Sequence, residues 1–230
     1  MKIAVISDLH LGAGAADSFG HSDIDFLAFL KRLESDFEKI ILLGDIWETL
    51  TAMAPYRPRQ ALKNAKLAHP ELAQRFERSN YLYVHGNHDI ITELDGVPSE
   101  VEIESDGVKL LFTHGHHHDW YWDGLRWMPE FFVWIGAWAR RVGLKALYDI
   151  CYALDIGFSK PSTHPMRDSF QRWAYSLAHH RDADVVVTGH THHAMVSEHG
   201  SVVFLNSGNC SEGKYSYLAI DTKRDLYAVC

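Results

Sequence analysis

Six short β-rich runs in this chain each end at a polar cluster, and that recurrence restricts the available folds more than any other feature. Lys2–Ile6 leads into Ser7-Asp8-Leu9-His10, Lys39–Leu43 into Gly44-Asp45, and Tyr81–Val84 into His85-Gly86-Asn87-His88-Asp89. Val108–Phe112 runs into Thr113-His114-Gly115-His116, and Asp184–Val187 into Thr188-Gly189-His190-Thr191-His192. Val202–Leu205 reaches Asn206-Ser207-Gly208-Asn209. Apolar residues at helical spacing separate the early runs, over Asp23–Leu33 (Ile24, Leu27, Phe29, Leu30, Leu33) and over Arg57–Phe76. Tyr215–Asp221 and Asp225–Cys230 read as a closing hairpin across Thr222-Lys223-Arg224. Strands alternating first with helices and later with hairpins predict an α/β fold with a mixed sheet or two packed sheets. Such sheets place their chemistry beyond the carboxyl ends of their strands, which is where the polar clusters fall.

The clusters offer carboxylate, amide and imidazole ligands and no sulfur. That donor set suits Mn²⁺, Fe, Zn²⁺ or Co²⁺, and the imidazoles argue against Ca²⁺ and Mg²⁺. Asp8, His10, Asp45, Asn87, His114, His190 and His192 are too many ligands for one ion and the right number for two ions sharing a bridging carboxylate. Two divalent cations outweigh the charges of Asp8 and Asp45 even with a hydroxide between them, so the site keeps a positive charge that attracts phosphate. An Asp-x-His or His-x-His pair can aim both side chains to one side only if the chain turns there, and neighbouring glycines allow that turn.

These blocks, in order D-x-H, G-D, G-N-H-D, H and G-H-x-H, resemble the calcineurin-like metallophosphoesterase superfamily over residues 1–115 and 184–209. The resemblance implies two packed mixed β-sheets flanked by helices. It also implies that Asp8, His10 and His192 hold one metal and that Asn87, His114 and His190 hold the other, with Asp45 bridging. His88 is then the phosphate-facing catalytic histidine, oriented by Asp89, and a metal-bridging hydroxide attacks phosphorus in line. Two divalent ions, with Mn²⁺ foremost, are the implied cofactors. His116, His117 and His118 read as residues behind the ligands or on the surface, and His85, His193 and His199 as structural or solvent-facing. Asn206-Ser207-Gly208 resembles the family's last site turn, where Asn or Ser bonds a ligand histidine. Cys210 reads as a small buried side chain.

Residues from about 120 to 182 break the rhythm. They show no strand signal, and they hold six of the seven tryptophans. Leu125, Met128, Phe132, Ile135, Ala139 and Val142 form one apolar stripe, and Trp127, Phe131, Trp134 and Trp138 a second. A helix apolar on two faces buries both or presents one to a ligand, partner or membrane. We read the segment as a helical cap inserted into a single domain spanning 1–230. With Arg126, Arg140 and Arg141 beside Trp127, Phe131 and Trp134, the cap suits an amphiphilic phosphate substrate. It resembles the insertion of UDP-2,3-diacylglucosamine pyrophosphatases, although His88 stands where that group has Arg and His116 where it has Asp. Lipid-linked substrate binding would bring peripheral contact with the inner membrane face; a helix–helix or homo-oligomer interface is the alternative use of the tryptophans. The other functions weighed are a soluble phosphodiesterase or phosphatase acting on nucleotides and a non-catalytic scaffold, the latter expected to lose ligands.

Composition narrows the rest. At 230 residues and 47% hydrophobic content the chain can bury a sizeable core. Its net charge of −8 argues against a nucleic-acid partner. The longest uncharged apolar run, Phe131–Ala139, is far shorter than the roughly 18 residues a membrane span needs. Met1-Lys2 enters the first strand directly, so no signal peptide is expected. Three widely spaced cysteines, Cys151, Cys210 and Cys230, suggest a reducing, cytoplasmic setting.

Overall fold

The computed structural model describes residues 1–14, 17–51, 57–121, 144 and 168–230. Most of the segment expected to form a helical cap, with Arg126, Trp127, Phe131, Trp134, Arg140 and Arg141, lies outside the described residues.

Continuous apolar runs make the central strands. β1 (Lys2–Ile6), β2 (Lys39–Leu43) and β3 (Tyr81–Val84) are parallel. The closing hairpin, β9 (Leu218–Asp221) and β10 (Leu226–Val229), adds antiparallel to β1, giving the order β10-β9-β1-β2-β3. The second sheet has the order β4-β5-β6-β8-β7. There β5 (Val108–Thr113), β6 (Val185–Thr188) and β8 (Val202–Asn206) are parallel, and β4 (Glu100–Ser105) and β7 (Met195–His199) flank them antiparallel. The fold is thus two mixed five-stranded sheets flanked by helices.

Two of these strands were not expected. β4 (EVEIES) and β7 (MVSEH) are half-exposed edge strands whose polar residues hide the strand signal, and the glutamates of β4 blunt an edge open to pairing.

Three apolar layers hold the elements together. Ile3, Val5, Ile41, Leu43 and Val84 of the first sheet meet Leu110, Phe112, Val185, Val187 and Leu205 of the second. On the outer face of the first sheet, Ala4, Ile6, Ile40 and Leu42 are covered by α1 (Asp23–Asp36), α2 (Pro58–Ala68) and α3 (Pro70–Phe76). On the second sheet's outer face, Phe170, Ala174 and Ala178 of α4 (Ser169–His180) pack on Leu111, Val186 and Phe204. The sequence reading put α4 at the end of the insertion, whereas the structure packs it on the body.

The helices correct the sequence reading in two places. Ser22 caps α1, accepting a hydrogen bond from the Asp25 backbone N–H at 3.1 Å. Ile24 then faces solvent at 80% exposure, and Phe26 takes the buried position instead. The single helical pattern over Arg57–Phe76 is two helices. Pro70 has no N–H to continue the first and forces His69 out of helical geometry, at φ −125° and ψ 61°. No described helix is long and apolar enough to cross a membrane.

Candidate metal centre

All six parallel strands, three from each sheet, deliver their carboxyl ends to one site. The chain leaves β1 and β2 through loops bonded to each other: Asp8 N–H donates to Gly44 O at 3.1 Å, His10 N–H to Asp45 O at 2.9 Å, and Leu11 N–H to Ile46 O at 2.9 Å. Aiming these side chains inward requires left-handed backbone at the ligand positions themselves. Asp8 (φ 55°), His10 (53°), Asp45 (53°), His190 (68°) and His192 (59°) account for five of the nine non-glycine residues with positive φ among the described residues. Such conformations cost roughly 1–2 kcal/mol apiece for an L-residue and persist where the surroundings fix them. Gly86 contributes differently, because a Cβ there would collide with the Asp45 carboxylate and the His114 ring.

Among the described residues, three groups of side chains place ligand atoms within 4.8 Å of one another: Asp8 with His10 and His192, His10 with Asp45 and His88, and Asp45 with His114 and His190. Within them, His192 Nε2 lies 3.1 Å from Asp8 Oδ1 and His114 Nε2 lies 3.1 Å from Asp45 Oδ2. The ligand atoms are inward-facing and poorly satisfied. Asp8 Oδ1, His10 Nε2, Asn87 Oδ1 and His114 Nε2 are buried without a hydrogen-bond partner. A buried polar atom left unsatisfied costs about 1–3 kcal/mol, so three of them on Asp8, His10 and His114, residues of the groups above, call for a partner there.

The opposite atoms of the same groups are occupied. His114 Nδ1–H donates to Leu43 O at 2.8 Å, which leaves Nε2 as the ring nitrogen that faces Asp45 and Asp8. His10 turns Nδ1 toward Glu48 Oε2 at 3.4 Å. Asp45 Oδ1 accepts from the His88 backbone N–H at 2.8 Å. Imidazoles held from behind by a carbonyl or carboxylate are the usual second shell of a metal site.

Electrostatics point the same way. Burial opposes ionisation of Asp8, but His192 and His114 outweigh it and hold the carboxyl below its ordinary value. Asp45 is also buried, yet His114 and His88 hold it well below the carboxylate range. Burial disfavours the charged form of His114, and Asp45 more than offsets this, pushing it up to about 9. Ionised carboxylates paired with imidazoles whose protons a cation can displace form a donor set that fits divalent metal.

The expected catalytic pair is arranged differently from the sequence expectation. The carboxylate of Asp89 accepts from Ile46 N–H (2.7 Å), Trp47 N–H (3.2 Å), Gly86 N–H (2.6 Å) and the Tyr83 hydroxyl. It therefore fixes the loops after β2 and β3. The His88 ring is paired instead with Glu48, Nδ1 to Oε2 at 2.8 Å. Glu48 is buried, and although burial opposes its ionisation, His88 and His10 hold it far below the ordinary range. His88 is pushed up to about 10, Glu48 and Asp45 overcoming the cost of burial. Sequence reasoning missed Glu48, whose only signal was a carboxylate three residues after Asp45 in a strand-exit loop.

His116 is buried, its ring 5.7 Å from those of His114 and His85, and burial and then His114 push it down to about 2. His85 is also buried, while His193 is exposed. Asn206 and Ser207 bond Thr188, Gly189 and Ser7 rather than a ligand histidine. Cys210 is buried, and burial pushes its thiol up to about 12.

Residues 1–128 match the calcineurin-like phosphoesterase superfamily domain. No curated protein matches the sequence. Among solved structures, the chain is similar to an archaeal phosphodiesterase at 17% identity and TM-score 0.50, covering 100% of this chain and 99% of that one. It is also similar to Vps29 from Entamoeba histolytica complexed with Zn²⁺, at 17% identity and TM-score 0.49, covering 100% and 90%. A phosphoesterase from E. coli aligns at 17% identity and TM-score 0.45, covering 100% and 98%. The archaeal structure shares the fold.

Proposed function

Because the chain belongs to the calcineurin-like phosphoesterase superfamily, we propose that it is a binuclear metal-dependent hydrolase of a phosphodiester or pyrophosphate bond. The observation that carries this reading is the convergence of Asp8, His10, Asp45, His114, His190 and His192 from distant strand ends, with ligand atoms of Asp8, His10 and His114 buried without a hydrogen-bond partner and the far sides of Asp8, His10, Asp45 and His114 held by the protein. A scaffold with no use for a cation has no reason to keep them.

Asp8, His10 and His192 would hold one ion and Asn87, His114 and His190 the other, with Asp45 shared; Mn²⁺, Fe, Zn²⁺ and Co²⁺ all suit these donors. When bound, such ions supply Lewis acidity, acidifying water and offsetting charge on phosphoryl oxygens. His88, with Nδ1 committed to Glu48, has Nε2 left to face a phosphoryl or leaving-group oxygen and to give it a proton. Asp89 keeps the loops bearing Asp45 and His88 in register. Burial of Asp8, His10, Asp45 and His114 strengthens their interactions, while His192 stands exposed.

The cap sequence supports an amphiphilic substrate, with acyl chains against Trp127, Phe131 and Trp134 and phosphate near Arg126, Arg140 and Arg141, as in a nucleotide–lipid pyrophosphate. The test is metal analysis of the purified protein, followed by Mn²⁺-supplemented assays on a phosphodiester, a monoester and a nucleotide–lipid pyrophosphate. Two equivalents of metal and hydrolysis of a diester or pyrophosphate are expected, and Asp45→Asn is expected to abolish nearly all turnover. Normal turnover by Asp45→Asn overturns the shared-carboxylate assignment. Equal activity on a soluble nucleotide, with no response to detergent or lipid, overturns the amphiphilic substrate.

A further inference from the structure

The turn after β8, Asn206-Ser207-Gly208, carries no candidate ligand, yet it is buried against two strand ends that do. Asn206 pins it there: its Nδ2 donates to Gly189 O at 2.7 Å and Thr188 Oγ1 at 2.9 Å, and its Oδ1 accepts from Gly208 N–H at 3.0 Å. This places Ser207 Oγ 2.8 Å from Ser7 Oγ, with Thr188 O at 3.2 Å. Ser7 Oγ in turn reaches Oδ2 of Asp8, with Gly208 O at 3.0 Å as its other acceptor.

Each hydroxyl has one proton to give. The bond from Ser7 to the ionised carboxylate is charge-assisted and the stronger use of its proton, and Ser7 Oγ is then free to accept from Ser207. Both serines are 1% exposed, so no bulk water can replace either bond. Oδ2 of Asp8 also takes the His190 backbone N–H at 3.3 Å. Oδ1 accepts no hydrogen bond and faces His192 Nε2 at 3.1 Å and His114 Nε2 at 4.0 Å. The two oxygens of one carboxylate are therefore sorted, one bonded to the protein and one turned into the centre. Gly189 leaves room for the relay, since a Cβ there would stand 2.7 Å from Ser7 Oγ and 2.8 Å from Asp8 Oδ2.

We infer that Ser207, acting through Ser7, is a positioning residue that commits Asp8 to offer Oδ1 alone to a divalent cation in the Asp8–His10–His192 site. This rests on the metal-centre reading above. It is tested by titrating the full-length protein with Mn²⁺ and following free ion by electron paramagnetic resonance, which needs no turnover. The wild type is expected to take up two ions. Ser207→Ala is expected to weaken one of them about 10- to 100-fold and to leave the other unchanged. Ser207→Cys, close in size but a poor donor, gives the same readout if the alanine variant fails to fold. Ser216→Ala removes a hydroxyl that donates to Ser207 O at 3.0 Å without touching the relay, and is expected to bind as the wild type does. Wild-type affinity for both ions in the Ser207 variants overturns the inference, as does equal weakening in Ser216→Ala, which would reduce the turn to a scaffold. A chelator-stripped wild type that takes up neither Mn²⁺ nor, by competition and metal analysis, Zn²⁺, Co²⁺ or Fe overturns the metal-centre reading itself.

Discussion

Glu48 sits between two imidazoles that serve different ends. Its Oε2 is 3.4 Å from Nδ1 of His10, a candidate ligand, and 2.8 Å from Nδ1 of His88, the candidate proton donor. One buried carboxylate thus fixes the ring orientation of both and supplies the negative charge that keeps a proton on His88. Glu48→Gln retains the volume and removes the charge, and its amide can accept from one ring only with its oxygen. The expected outcome is a kcat about 100-fold lower from lost proton delivery at His88, together with weaker uptake of the ion that uses His10, whose ring loses its carboxylate partner. Measuring metal content and kcat on the same preparation separates the two effects, and undiminished kcat removes Glu48 from the mechanism. The residue was hard to see in sequence because a lone glutamate after Ile46-Trp47 carries no pattern. What marks it is burial, which depends on the β3 loop folding over it.

At the scale of elements, the strands that position the site were legible because each is an uninterrupted apolar run that must be buried on both faces. The observed limits of β1, β2 and β3 coincide with those runs. The edge strands β4 and β7 were not, since half of each faces solvent and its residues carry no apolar signal. The candidate ligands were legible as Asp, Asn and His after strands; the left-handed backbone that aims them was credited to glycines and belongs mostly to those residues themselves. The junction of α2 and α3 shows what a single proline conceals. By ending α2 early it frees His69 to reach Asp17 Oδ2 at 2.9 Å through Nε2 and Asp23 Oδ1 at 2.7 Å through Nδ1. Two ring nitrogens each facing a carboxylate require the imidazolium form, and although burial opposes it these bonds push His69 up to about 9. The folded value exceeds the ordinary one of 6.5, so the latch contributes fully below about pH 6.5 and is lost as pH rises through about 9. The carboxylates are partly exposed, which limits the contribution to about 1–2 kcal/mol, or roughly 2–8 °C in Tm for a chain of this size. Wild-type Tm is therefore expected to fall relative to that of His69→Gln between pH 6.5 and 9.5, by thermal scans at fixed ionic strength, and parallel curves would rule the latch out.

For the molecule as a whole, the division of ligands between sheets matters more than their number. The first sheet supplies Asp8, His10, Asp45 and Asn87, and the second supplies His114, His190 and His192, so each proposed ion takes donors from both. Otherwise the two sheets are joined by side-chain packing across that layer, with Ile3, Val5, Ile41 and Leu43 against Leu110, Phe112, Val185 and Val187, and by a few hydrogen bonds at the site such as His114 Nδ1–H to Leu43 O. An ion held from both sides is absent from the unfolded chain, where these donors are scattered over nearly 190 residues, so its binding free energy adds to folding stability. At a free ion concentration 100 times Kd each site adds about 2.7 kcal/mol. For this chain that corresponds to roughly 5–10 °C in Tm. Metal-loaded protein is therefore expected to melt well above the same protein treated with chelator. His114→Ala, which removes a second-sheet donor to one ion while leaving Asp8, His10 and His192 intact, is expected to lose about half of that increment. A loaded protein that melts at the same temperature as the stripped one would mean that its ions sit outside the seam between the sheets. An increment that survives His114→Ala undiminished would mean that no ion uses the second sheet's β5 end.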